Sequence, residues 1–248
     1  MIKIKNSENL YPTIFKEHLI FCLSKSSYKE NIIIEDVDDL TLLTSIIKIN
    51  GYTINKVLKE IFYDYEEIPF KVSKVKMLYY TNTYQKYEVE LTINLNNYNW
   101  SMKIYVTSGL NLKGKNEIIY LPKLKKKVTL KYLIKEEHIA KMFYQIMENI
   151  TDSIDILDTF YILYYSKMDE ELFLSILENI YSSTKVKLNI NEQINKINSL
   201  TENKLFRNKW CRRTLKRENV KINFSDIQFC LKSILTKLKD SVKSFMEN

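Results

Sequence analysis

From Pro69 onward the hydrophobic residues of this chain recur with a period of two. Phe70 and Val72, then Tyr87, Val89, Leu91, Ile93 and Leu95, alternate with polar residues, and Trp100, Met102, Ile104 and Val106 repeat the pattern. Successive side chains of a strand point to opposite faces, so this alternation marks strands buried on one side. Polar stretches at Thr81-Asn82-Thr83 and Asn96-Asn97 separate the runs, which predicts an antiparallel meander. Beyond Pro122 and the run Lys125-Lys126-Lys127 the period becomes helical and stays so. Ile139, Met142, Phe143, Ile146 and Met147 form one stripe; Leu172, Phe173, Ile176, Leu177 and Ile180 form a second. A third runs through Ile227, Cys230, Leu231, Ile234, Leu235, Leu238 and Val242. Strands followed by helices predict an α+β fold. The expected division is an α/β core over 1–121 and a helical C-terminal lobe over 122–248.

The residues before Pro69 read as mixed structure. Phe15, Leu19 and Cys22 predict a short helix around 13–24, Lys25 to Asn31 is turn-like, and Ile32-Ile33-Ile34 is a brief β-branched run. Leu40, Leu43, Ile46 and Ile47 predict a second helical stretch, with Gly51 as the turn after it.

Only three glycines and three prolines punctuate the 248 residues. A Gly-rich phosphate loop is therefore excluded, and with it the P-loop and the dinucleotide fingerprint. Three scattered cysteines (Cys22, Cys211, Cys230) and two histidines lack metal-ligand spacing, which argues against zinc. An odd cysteine count with no signal peptide points to a reducing, cytoplasmic setting. The longest apolar runs are too short to span a bilayer, so no membrane partner is expected. A net charge of +8 suits polyanionic partners such as RNA. A Lys/Asn/Ile-rich composition from an AT-rich genome produces the same excess.

Four constellations carry potential chemistry. In Glu35-Asp36-Val37-Asp38-Asp39, Asp36 and Asp38 would point to one side of a strand end and hold a divalent cation through carboxylate oxygens. The same cluster also reads as an acidic turn capping a helix that begins near Leu40. Lys141 lies opposite the stripe of its helix, the position of an exposed lysine. Asp152, Asp155 and Asp158 share one face of the next helix, either as a solvated edge or as partly buried acids that need a partner such as Lys141. Lys209, Arg212, Arg213, Lys216 and Arg217 fall on one helical face beside Phe206 and Trp210. That stripe suits a phosphate backbone with aromatics for stacking, or is simply a solvated basic face.

The order of elements resembles the AbiEii/AbiGii family of nucleotidyltransferase-fold toxins, known from abortive infection (phage defence) and type IV toxin–antitoxin loci. The resemblance covers roughly Pro69 to the C-terminus. It runs through Ile68-Pro69-Phe70, the strand Met102 to Val106, Gly109, Leu121-Pro122, Tyr132, Lys141, Asp155/Asp158 and a late Trp210. Ile139-Ala140-Lys141 stands where the family has Ala-Glu-Lys, and Ile154-Asp155-Ile156-Leu157-Asp158 where it has a basic residue before Asp-x-x-Asp. Asp36-Val37-Asp38 matches the catalytic Asp-x-Asp, and Ser26-Ser27 stands in place of a Gly-Gly or Gly-Ser element. Tyr105 occupies the register of a third carboxylate.

The resemblance implies a nucleotidyltransferase-like mixed or antiparallel sheet with a C-terminal helical lobe. It further implies Mg²⁺ and an NTP as cofactors, and transfer of a nucleotide to an RNA acceptor, with tRNA foremost. Asp36 and Asp38 would then hold Mg²⁺, Lys141 would bind the phosphates, and Asp155 would position Lys141. Ser26 or Ser27 would reach the γ-phosphate, and Lys209, Arg212, Arg213, Lys216 and Arg217 would hold the RNA. The departures at Ser26-Ser27, which lacks the glycine, and at Tyr105, Ala140 and Ile154 leave open a catalytically degenerate relative that binds RNA or a protein partner such as a cognate antitoxin; the missing glycine and Tyr105 favour it.

Overall fold

The computed structural model describes residues 10–37, 40–44, 49–63, 68–80, 84–95, 98–148, 167–184, 189–218, 223, 225–226, 228–230 and 232–237. These residues fall in two compact units, Met1–Ile134 and Lys135–Asn248.

The first unit opens with α1 (Leu10–Lys25). Pro12 falls in its first turn, where a missing N–H costs nothing. Phe15, Leu19, Ile20, Cys22 and Leu23 are buried along one side. The helix stops where Ser26 turns back on it: its N–H bonds the Cys22 carbonyl at 3.0 Å and its hydroxyl donates to the Leu23 carbonyl at 2.8 Å. A short 3-10 turn over Lys29–Asn31 leads into β1 (Ile32–Asp36), which pairs antiparallel with β2 (Thr41–Thr44) from Ile32↔Thr44 to Asp36↔Thr41.

That hairpin replaces the helix expected from Leu40 onward, at least over 41–44. Leu42 and Leu43 are both buried although they point to opposite faces. A strand covered on both faces shows no alternation, so its apolar run is easily read as helical. Leu40, at φ 45°, closes the turn in a left-handed conformation, and its carbonyl accepts the Tyr105 N–H at 3.1 Å. The turn is therefore stitched to the meander.

Next comes α2 (Gly51–Tyr63), a helix where only a turn was expected. Asn50 caps it, its Oδ1 accepting the Thr53 N–H at 2.9 Å. Ile54, Leu58, Ile61 and Phe62 form its buried face. The expected meander follows as β3 (Phe70–Tyr80), β4 (Gln85–Leu95) and β5 (Tyr98–Ser108), antiparallel throughout. A further hairpin, β6 (Lys115–Leu121) and β7 (Lys126–Tyr132), lies across the boundary expected at 121/122 and belongs to the first unit. The three lysines at 125–127 thus start a strand and do not mark the onset of the helical lobe.

The seven strands make one mixed sheet, ordered β3-β4-β5-β2-β1-β7-β6. The pairs β2–β5 and β1–β7 are parallel and the rest antiparallel. One face packs on α1 and α2 through Ile34, Leu42, Val89, Leu91, Ile104 and Leu130, all buried. Glu17 on α1, itself buried, accepts the N–H groups of Lys123 (2.8 Å) and Leu124 (3.0 Å) at Oε2. That carboxylate binds the helix to the β6–β7 turn. On the other face the chain passes close to Ile33 at Gly114, whose φ is +63°.

The second unit contains α3 (Lys135–Glu148), α4 (Glu170–Thr184), α5 (Ile190–Glu202) and α6 (Lys204–Glu218), with further helical residues at 228–230 and 232–237. Phe143 of α3 meets Phe173 of α4 edge-on at 6.2 Å, and Tyr144 meets Tyr181 at 5.1 Å. Asp169, Asn189 and Asn203 cap the last three helices, each side-chain oxygen accepting a first-turn N–H. On α4 the buried face is Phe173, Leu177, Ile180 and Tyr181, whereas Leu172 is exposed.

Candidate functional site on the polar face of the sheet

Register brings five residues into one row across the first unit. Asp36 pairs with Thr41, Thr41 with Tyr105, Tyr105 with Glu88, and Glu88 with Lys76. Cross-strand neighbours share a face. Tyr87, Val89, Ile104 and Leu42 of the same strands belong to the core beneath α1 and α2. The row therefore lies on the opposite face. Asp36 is exposed at the carboxyl end of β1, a strand flanked by β2 and β7 inside the sheet.

Strands are about 4.8 Å apart, so Asp36 and Tyr105 are two steps, or roughly 10 Å, apart, and Asp36 and Glu88 roughly 14 Å. Carboxylates sharing Mg²⁺ each approach it to about 2.1 Å, and side chains stand upright on a sheet. Glu88 therefore does not complete a cation site with Asp36. It is engaged elsewhere: Lys103 Nζ lies 3.1 Å from its Oε2. The hydrogen bond and charge of Glu88 raise the Lys103 pKa. Lys86 Nζ sits 5.4 Å from the Tyr105 ring centroid, a cation–π contact. Tyr105 thus presents an aromatic ring beside Lys86.

β1 ends at Asp36 and Val37 is already in the turn, so the expected same-side pairing of Asp36 and Asp38 along one strand is not produced by β1. Asp38 itself lies outside the described residues, as do Asp152, Asp155 and Asp158. Among the described residues, no three His, Cys, Asp or Glu side chains are grouped for a metal ion.

Ser26 and Ser27 line a cleft of about 240 Å³ with Cys22, Lys25 and Tyr28. They follow the carboxyl end of α1, where the helix dipole is negative. They precede β1 in the chain, with the 3-10 turn Lys29–Asn31 between, while Asp36 ends the strand.

In the second unit, Lys141 is buried (6% exposed), against the expectation of a surface lysine, and Glu137 one turn earlier is buried too (5%). The helix α3 is covered on more of its circumference than its apolar stripe suggests. On α6, Lys209 and Arg212 are exposed beside the buried Trp210, as a basic outer face requires. The side chains of Arg213, Lys216 and Arg217 lie outside the described set. Cys22, Cys211 and Cys230 form no disulfide with one another. No described helix is long and apolar enough to cross a membrane.

Tyr132, at the end of β7, has a buried hydroxyl with no hydrogen-bond partner among the described residues. Desolvation, helped by Glu117, pushes its pKa up to about 12. Sequence reading missed a set of groups on α2, where Tyr52, Lys56, Lys59 and Tyr63 share the outer face. Their spacing of four, three and four residues was the available signal, but it is visible only once that segment is known to be a helix.

These features define an α+β protein with a seven-stranded mixed sheet, one face under two helices and the other burying Ile33 and Leu43 while exposing Asp36, followed by a helical unit. Two structures from H. pylori are similar to it. One is provisionally called a nucleotidyltransferase, with 11% identity and a TM-score of 0.37 over 94% of this chain and 97% of that one. The other is the JHP933 protein, with 11% identity and a TM-score of 0.38 over 95% and 97%. No family model and no curated protein matches the sequence.

Proposed function

We propose that this chain is a nucleotidyltransferase-fold protein of the AbiEii/AbiGii type, transferring a nucleotide from an NTP to an RNA acceptor such as tRNA. The observation that carries the reading is Asp36, an exposed carboxylate at the carboxyl end of an interior strand, on the sheet face opposite α1 and α2. Oxygen donors of this kind suit Mg²⁺, which typically takes one or two carboxylates together with substrate phosphates. Asp36 is one such ligand and, in this reading, Asp38 the second. Bound there, the ion neutralises triphosphate charge. The resemblance assigns Lys141 to the phosphates and Asp155 to its positioning, and the basic residues of α6 hold the RNA. The resemblance assigns Ser26 or Ser27 to the γ-phosphate.

One observation favours a second reading, a degenerate protein that keeps the fold and binds RNA or an antitoxin-like protein. Tyr105 stands in the row with Asp36, and the nearest strand carboxylate beyond it is held by Lys103.

Incubation with labelled NTPs, Mg²⁺ and total RNA separates the two. Label transfer that disappears in Asp36→Ala/Asp38→Ala and falls at least about 100-fold in Lys141→Ala supports the enzyme. RNA retention without transfer, unchanged by the Asp36 and Asp38 substitutions, supports the degenerate protein and rules the enzyme out.

A further inference from the structure

The outer face of α2 combines two exposed tyrosines with two exposed lysines. Its inner face is spent on Ile54, Leu58, Ile61 and Phe62. At 100° per residue, Tyr52, Lys59 and Tyr63 fall within about 40° of one another around the helix, with Lys56 beside them and Asn55 at the edge. Tyr52 is 78% exposed and Tyr63 85% exposed. Two tyrosines so far out in water gain nothing for the fold. Together with Asn55, Lys56, Lys59 and Glu60 they line a shallow groove of about 330 Å³.

The polar groups of the groove are arranged for an anion with flat, hydrogen-bonding appendages. Lys56 is well exposed and touches Glu60 only at 3.9 Å. Glu60 is drawn aside by the hydroxyl of Tyr28, which donates to it. The carboxylate thus stands at the rim while Lys56 and Lys59 keep their charge on the tyrosine face. Asn55 lies half-buried at the edge of the groove, its side-chain oxygen shielded from solvent.

We propose that this face of α2 binds single-stranded RNA, with Tyr52 and Tyr63 each stacking a base and Lys56 and Lys59 contacting the phosphates between them. Eleven residues of helix separate the rings by about 16 Å, a span of a few nucleotides. Stacking on aromatic rings is tolerant of sequence, because every base has a flat π-face. A net charge of +8 adds long-range attraction for the strand. The surface is separate from the α6 stripe and extends the RNA-directed reading above to a second contact.

The test is fluorescence anisotropy with the full chain and a labelled oligouridylate about 12 nucleotides long, in EDTA and without NTP, so that transfer plays no part. Tyr52→Ala and Tyr63→Ala should each weaken binding about five- to a hundredfold, while Tyr52→Phe and Tyr63→Phe remain within about twofold of the unaltered chain. Lys56→Gln/Lys59→Gln should flatten the plot of log affinity against log salt by about 1.4, from ~0.7 per phosphate on a single strand. Binding that survives all these changes overturns the surface and leaves the α6 stripe as the RNA contact. Equal loss in the Phe variants overturns the stacking. No binding by the unaltered chain overturns this surface, and leaves the acceptor to be decided by the nucleotide-transfer assay with total RNA.

Discussion

Replacing Glu17 with alanine should loosen the docking of α1 on the sheet. One carboxylate oxygen, on a side chain only 5% exposed, accepts two backbone N–H groups of the β6–β7 turn, at 2.8 and 3.0 Å. A hydrogen bond to a charged group contributes ~1.5–3 kcal/mol, and a buried donor left without a partner costs a similar amount. Two such bonds sum to about 3–6 kcal/mol. Removing the desolvated charge, and letting water reach part of the turn, returns some of that. A net loss of about 3 kcal/mol follows for Glu17→Ala. Glu17→Gln keeps an acceptor without the charge, and should lose only about 1 kcal/mol. The two tryptophans allow a clean readout. Trp100, in the first unit, lies 5.9 Å from Phe15 on α1, and Trp210 is in the second unit. In a Trp210→Phe background, urea unfolding followed by Trp100 fluorescence should show a midpoint lowered by about 1–2 M for Glu17→Ala, at an m-value near 2 kcal/mol/M. A loss below about 0.5 kcal/mol, or equal losses for Ala and Gln, would refute the reasoning, since the first denies the bonds and the second denies their charge.

Gly114→Ala should destabilise the first unit by about 2 kcal/mol or more by the same readout. Its φ of +63° is costly for a residue with a side chain, and a Cβ there would lie 3.1 Å from both the Tyr132 carbonyl oxygen and Ile33. Tyr132 should make the protein lose stability in alkali. The folded chain retains the phenolic proton up to about 12, whereas the unfolded chain releases it at the ordinary value of 10.0. The native state therefore binds more protons between these values, and stability falls as pH rises from 10 towards 12. Denaturant midpoints across that window should decline less steeply in Tyr132→Phe, and an unchanged slope would rule Tyr132 out as the cause.

The parts of the fold that were legible in the sequence are those exposed on one side. The meander strands β4 and β5 face helices with one side chain and water with the next, so Val89, Leu91 and Ile93 alternate visibly with Glu88, Glu90 and Thr92. α1 was legible from Phe15, Leu19 and Cys22 at helical spacing, although Glu17, His18 and Ile20 are buried as well. β2 was not, because Leu42 and Leu43 are buried on opposite faces of an interior strand and imitate a helical run. The β6–β7 hairpin was missed because Ile118 and Tyr120 are exposed on an edge strand beside a lysine-rich turn. α2 carried its pattern openly in Ile54, Leu58, Ile61 and Phe62, but Gly51 read as punctuation where it is the first helical residue. For the candidate site, sequence located Asp36 at a strand end. It did not show how far Glu88 lies from Asp36, because lateral order in a sheet follows from tertiary pairing that a linear pattern does not encode. Lys141 was misjudged by the same limit: a helical wheel tells which side is apolar, not how much of the helix is covered.

The interior position of β1 also fixes when the sheet can close. β1 is made early, yet its parallel neighbour β7 is nearly a hundred residues downstream, and β2 waits for β5. Chain growth at ~5–20 residues per second leaves Ile32-Ile33-Ile34 without its outer neighbour for several seconds or more. Meanwhile β3, β4 and β5 need only adjacent hairpins. Assembly therefore proceeds from the meander inward, and the oldest strand is among the last to be enclosed. Until then the nascent chain carries an unshielded β-branched triplet, the type of segment that pairs indiscriminately with other strands. For this protein the vulnerable interval belongs to its synthesis more than to its finished state.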